Sequence, residues 1–215
     1  MTSGRTVLGW TQGHIAYPAP VVVREVGPLG ILLVPDHLAA TPRTRLQLQM
    51  QCFENEIGFI PTAPSLPLSE DDGLRFARAR RAELLDALVQ FDGLGQLTLS
   101  MTWKFPTKRL PKRICGRERL RKRQALHSVS DQQHRTALAI IDGCANPVID
   151  SRTRQQNQRV ERDILISKRC LDGILNGIRK HADEYDADGL NLTVTGLWPP
   201  FSFVQSFSGN KEAVL

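Results

Sequence analysis

No apolar run in the chain approaches the roughly 20 residues needed to cross a bilayer as a helix, so a spanning helix is not expected. The first residues, Met1-Thr2-Ser3-Gly4-Arg5-Thr6-Val7, lack the apolar core of a secretory signal, which makes the cytoplasm the expected compartment. Cysteine is sparse. Cys52, Cys115, Cys144 and Cys170 stand far apart and form no C-x-x-C pair. That spacing argues against a disulfide framework and a zinc site, and for reduced structural thiols. Histidine is equally scattered: His127 and His134 can share a helix face, but no Glu or Cys completes a ligand set at helical spacing, so no metal is expected. Gly-rich phosphate loops of the G-x-G-x-x-G or P-loop type are missing, as is a G-x-S-x-G elbow. His127-Ser128 lies in a polar helix without an evident buried acid, and the acid pairs Asp71-Asp72 and Asp183-Glu184 fall at helix ends or on polar faces. The chain therefore reads as a non-enzyme, with no catalytic residue and no cofactor.

What is present is an ordinary globular composition over 215 residues, 41% hydrophobic and 23% charged, enough for one large domain or two small ones. The net charge of +6 is concentrated. Between Lys104 and Arg123 ten Lys and Arg face the single acid Glu118, a local +9 that leaves −3 for the rest of the chain. Such a run has three readings: a solvated linker and helix start, a surface that speeds encounter with an acidic protein, or a non-specific phosphate-binding segment. Only Trp103 and Phe105 interleave with these cations, and the preceding strand claims both, so nucleic acid is the disfavoured alternative.

Taken in order, the first fifty residues read as β-rich. Val21-Val22-Val23 and Ile31-Leu32-Leu33-Val34 flank the turn-like Gly27-Pro28-Leu29-Gly30, which predicts a hairpin ended by Pro35. Thr41-Pro42 predicts a helix start, with Leu46, Met50, Phe53 and Ile57 forming its apolar face. Pro61, Pro64 and Pro67 predict an extended loop from Gly58 to Leu68. Ser69-Glu70-Asp71-Asp72 then caps one long helix through Leu74, Ala77, Leu84, Leu88 and Phe91, with Arg81 interrupting the stripe. Leu97, Leu99, Met101 and Trp103 alternate with polar residues as a half-buried strand. A helix from near Arg117 to Ile141, a polar stretch from Ser151 to Gln158, the short apolar run Ile164-Leu165-Ile166 and a helix carrying Leu171, Ile174, Leu175, Ile178, Ala182 and Tyr185 follow. The strand Leu190–Thr195 comes last, before a tail that looks frayed beyond Ser206.

Leu97-Thr98-Leu99-Ser100 and Trp103 align at one constant offset with Leu192-Thr193-Val194-Thr195 and Trp198. Each strand follows an amphipathic helix closed by Asp-Gly, which suggests an internal duplication. Helices preceding strands without regular βαβ alternation predict an α+β protein of two small domains. The expected boundaries are 1–106 for the first domain, 107–124 for the Pro-flanked basic linker and helix start, and 125–215 for the second.

The most distinctive string closes the chain: Gly196-Leu197-Trp198-Pro199-Pro200-Phe201-Ser202-Phe203. Two prolines cannot donate ladder hydrogen bonds, so the strand stops at Trp198. This string resembles the closing motif of the gas vesicle protein F/L family (GvpF/GvpL), with Leu197 and Phe201 where the family usually has Pro and Tyr. Upstream, Phe59-Ile60-Pro61, Ser69-Glu70-Asp71, the helix to Phe91 and Trp103 occupy family positions, while Ala63-Pro64-Ser65 stands where Phe-Gly is usual. The chain is short for that family. The resemblance implies two domains, each a modified ferredoxin-like sheet with packed helices. It also implies a non-catalytic assembly factor for gas vesicles, at the gas-facing surface or with the nascent shell. Its partners would be the small hydrophobic shell protein of GvpA type and other gas vesicle accessory proteins. Partner-facing residues are expected among Trp198, Pro199, Pro200 and Phe201, with Arg117, Arg121 and Arg123 supplying steering charge. Because Trp103 repeats the strand-ending Trp, Trp198 is expected in the core, and the prolines and Phe201 at the surface.

Overall fold

The structure, a computed structural model, describes residues 4–12, 17, 19–54, 58–103, 117, 135–143, 149–156, 159–186 and 190–204, with the backbone only for 155, 156 and 180–186. It divides into two compact units. One comprises the chain to Gln96 together with the residues from Leu197 onward, and the other runs from Leu97 to Gly196.

The first unit begins with β1 (Arg5–Gln12), β2 (Val22–Val26) and β3 (Leu29–Pro35). As expected, β2 and β3 form a hairpin, closed tightly by Gly27-Pro28, with Val26 opposite Leu29. Gly27 has φ +65°, a left-handed conformation that glycine adopts without the Cβ penalty. Next come α1 (Pro42–Glu54), β4 (Phe59–Pro61), β5 (Leu68–Ser69), α2 (Glu70–Ala79) and α3 (Arg81–Gln90). The sheet runs β2-β3-β1-β4, with β5 also on β1. The loop expected over Gly58–Leu68 thus contains two short strands. Pro61 is tolerated because it ends β4, an edge strand.

β1 is central, and the sequence pattern did not single it out. It has no alternation to find, because helices cover both faces of the sheet. Its register slips between Val7 and Gly9, so Leu8 is an extra, bulged residue. Leu8 joins Leu32, Val34, Cys52, Phe53 and Phe59 in the core on the α1 side. On the other face Val7 lies so close to Gly73 of α2 that a Cβ there would meet Val7 Cγ2 at 2.5 Å. Trp10 packs on Phe76 with ring centroids 5.1 Å apart. The long helix expected after Ser69 is two helices, broken at Arg80 (φ −119°, ψ 31°). Ser69 does cap the first, its Oγ accepting from the Asp72 N–H.

The second unit contains β6 (Leu94–Trp103) from Leu97, the helical residues 135–143 (α4), β7 (Asp150–Gln156), β8 (Arg159–Ser167), α5 (Leu171–Asp186) and β9 (Leu190–Trp198) as far as Gly196. Its sheet order is β7-β8-β6-β9. A β-α-β-β-α-β chain with the last strand beside the first and the first beside the third is the ferredoxin-like arrangement. The first unit reaches the same order, with α1 crossing between β3 and β4 and with α2 and α3 on the opposite face. Leu97, Leu99, Met101 and Trp103 are buried, as are Ile140 and Ile141 of α4 and Ile174 and Ile178 of α5. Asp163, 1% exposed, accepts from Thr98 Oγ1 at 2.7 Å and pairs with Arg154 Nη2 at 2.9 Å. Arg162 pairs with Asp142, and burial pushes its guanidinium below the ordinary value.

Two expectations are corrected here. The polar stretch 151–158 is largely a strand, β7, whose described side chains are all exposed, so it shows no buried face to the eye. β6 and β9, taken for equivalent closing strands of two duplicated halves, are neighbours in one sheet. The division at Gln96/Leu97 differs from the one expected at residue 106 for the same reason: from Leu97 onward β6 lies between β8 and β9. The expected linker 107–124 lies outside the described residues apart from Arg117, as do Cys115, Cys144, His127, His134, Ile57 and the tail from residue 205.

Candidate binding cleft beside the closing motif

At the end of β9 the chain turns sharply. The Phe201 N–H donates to Pro199 O at 2.7 Å, and the N–H groups of Phe203 and Val204 donate to Pro200 O at 3.0 and 3.1 Å. The prolines bring no donor, but their carbonyls are the acceptors that close this turn. Gln96 then clamps it. Its Nε2 donates to Ser202 Oγ at 3.1 Å, and its Oε1 accepts from the Ser202 N–H at 2.9 Å, with both residues buried. Leu197 packs against the core on the α1 side.

Pro199 and Pro200 are buried, Ser202, Phe203 and Val204 likewise, and Trp198 and Phe201 are half-buried. For the prolines and Trp198 this reverses the expected placement. The prolines are folded under the turn they close, while Trp198, at the end of its strand, borders an open cleft. Arg117 is helical and exposed; Arg121 and Arg123 lie outside the described residues.

The cleft has a volume of about 650 Å³ and is lined by Pro20, Leu38, Leu46, Leu48, Met50 and Trp198, with Arg43, Thr44, Gln47 and Gln51 completing the lining. Its origin lies in α1. Thr41 starts that helix as expected, its Oγ1 accepting from the Thr44 N–H at 3.1 Å. Of the expected stripe Phe53 does face the core, but its companions there are Arg45, Gln49 and Cys52, not Leu46 and Met50. Arg45 donates to Ala39 O at 2.5 Å and Pro64 O at 2.7 Å. Gln49 Nε2 donates to Leu8 O and Thr62 O, each at 2.8 Å. Carbonyls before α1, on the bulge and in the β4 loop thus gain donors from α1, Leu8 O in addition to the Thr62 N–H that donates to it at 3.0 Å, and α1 turns this polar side inward. Leu46 and Met50 are thereby left half-buried in the cleft wall.

A second cleft, about 620 Å³, carries charges of both signs, with Arg5, Asp36, Arg45, Glu70 and Asp71 in its lining. Asp36 accepts from Thr6 Oγ1 at 2.7 Å and Glu70 pairs with Arg24, so two of its three carboxylates are engaged.

Residues 68–205 match the family described as gas vesicle synthesis protein GvpL/GvpF. The chain belongs to that family. Its place is therefore among proteins of gas vesicle formation. No curated protein matches the chain. The crystal structure of gas vesicle protein GvpF from an Anabaena species is similar in fold, with a TM-score of 0.76 at 11% identity over 95% of this chain and 97% of that one. GvpF from Microcystis aeruginosa gives a TM-score of 0.74 at 13% identity over 95% of this chain and 100% of that one. The matched range spans Gln96 and Trp198-Pro199-Pro200. No helix among the described residues is long and apolar enough to cross a membrane.

Nothing in the sequence pattern pointed to Gln96 or to the outward rotation of Leu46 and Met50. A Gln at a strand start looks like any polar residue, and the acceptors that rotate α1 come from segments distant in the chain.

Proposed function

We propose that this GvpF/GvpL-family chain is a non-catalytic accessory factor that binds the small hydrophobic shell protein, of GvpA type, during vesicle formation. It works in the cytoplasm at the nascent shell and alongside other gas vesicle accessory proteins. The observation that carries this reading is the open cleft bordered by Trp198, Leu46, Met50 and Leu38, the last 38% exposed. Apolar side chains gathered in an open cleft offer a contact surface for an apolar partner, and a shell subunit presents apolar surface that needs cover until the shell closes. Trp198 and Phe201 are the motif residues available for contact. Pro199 and Pro200 hold the turn that places them. Arg117, Arg121 and Arg123 add charge that accelerates encounter.

The test is co-purification of tagged chain with the shell protein, paired with deletion of the gene. Recovery of the shell protein with the chain and loss of intact vesicles are expected. Absence of both would overturn the proposal.

A further inference from the structure

Resting on the shell-protein reading above, we infer that the cleft between α1 and Trp198 receives an amphipathic helix of the shell protein. The helix lies along α1, with its apolar stripe on Leu46, Met50 and Trp198 and a carboxylate against Arg43.

The wall of the cleft dictates a helix. α1 offers side chains only, since its interior N–H and C=O groups bond to one another. An extended segment laid on it would lose water from backbone groups and find no partners for them. A helix arrives with its backbone already paired, so only its side chains need to fit. The lining runs from Arg43 to Gln51 on α1, roughly 12 Å at 1.5 Å per residue, or about two turns. Two turns present a stripe at i, i+3 or i+4, and i+7. The cleft volume of about 650 Å³ suits several apolar side chains. Met50 adapts its shape to them, and the half-buried Trp198 supplies a rigid anchor at one wall.

Charge completes the match. Arg43 is the charged residue among the described lining, with no carboxylate beside it there. It is exposed and has no ion pair among the described residues. The bordering Gln47 and Gln51 are neutral. A partner with an acid at the Arg43 end gains a charge-assisted contact, whereas one with a Lys there meets like charge.

The test uses the full chain, the purified shell protein, and two labelled model helices sharing one leucine stripe, one with Glu and the other with Lys at the end meeting Arg43. Binding is read by fluorescence anisotropy and by co-purification. The wild-type chain is expected to prefer the Glu peptide. Leu46→Gln and Met50→Gln change half-buried positions outside the core; with thermal midpoints near wild type, each should weaken peptide binding by at least about tenfold and reduce shell-protein recovery in parallel. Arg43→Glu should reverse the preference between the peptides. Shell-protein recovery undiminished in these variants would overturn the cleft assignment and leave the accessory-factor reading intact. No shell-protein recovery by the wild-type chain would overturn that reading instead. Self-association of the chain that is lost in Leu46→Gln would also overturn the assignment, by showing that a second copy fills the cleft.

Discussion

Replacing Gln96 by Leu tests how the closing motif is held. The side chain is 5% exposed, and its amide makes two hydrogen bonds to Ser202, itself 7% exposed. Leucine keeps the size and the strand but makes neither bond. The Ser202 N–H, which donates to Gln96 Oε1 at 2.9 Å, would then lose that acceptor in a buried setting, at a cost of about 1–3 kcal/mol. The lost contact from Nε2 to Ser202 Oγ adds about 1 kcal/mol, and the greater apolarity of leucine recovers part of the total. A net loss of about 2–3 kcal/mol is expected. With a urea m-value in the range of about 2–3 kcal/mol/M, the midpoint of a tryptophan-monitored urea titration should fall by about 1 M at unchanged slope. Ser202→Ala keeps the N–H bond and should cost roughly half as much. The double variant should cost less than the two singles together, because both singles break the same contact. A Gln96→Leu midpoint that stays at the wild-type value would refute the clamp.

Gly9→Ala should lower the thermal midpoint by about 5–10 °C, because the new methyl would lie 2.3 Å from Ile60 O and 2.5 Å from the Phe59 ring, forcing β1 and β4 apart; a midpoint at or above wild type would show that this strand pair yields easily. The Glu83 carboxyl is held below its ordinary value, first by the hydrogen bond from Arg80, which also adds a favourable charge. Carboxyl NMR should show it titrating below the ordinary range for glutamate, and Arg80→Ala should return it to that range; no change on removing Arg80 would refute the cause. The sign follows: with the folded value lowered, the pair stabilises at pH above the ordinary carboxylate range, and its contribution fades as the pH falls through the lowered value. Since the pair is exposed, that contribution is small.

The family and the local elements were legible in the sequence because their signals sit in adjacent residues. Thr41-Pro42 and Ser69 mark helix starts through side chains that accept from N–H groups three residues on. The alternation of Leu97 to Trp103 marks a strand with one apolar face, although Ser100 on the other side is buried as well. Gly27-Pro28 marks a turn, and Trp198-Pro199-Pro200-Phe201-Ser202 marks the family. What lay beyond the sequence depends on partners far along the chain. β1 shows no alternation, since α1 covers one face and α2 the other. β6 belongs with β8 and β9 because of strand pairing, which no local pattern records. The face that α1 turns inward was decided by the carbonyls of Leu8, Ala39, Thr62 and Pro64, which Arg45 and Gln49 satisfy. A buried acceptor left without a donor costs about 1–3 kcal/mol, comparable to exposing a whole leucine side chain, whereas Leu46 and Met50 stay half-buried and lose only part of that, so tertiary hydrogen bonding overrode the apolar stripe. That choice left Leu46 and Met50 beside Trp198 and made the cleft.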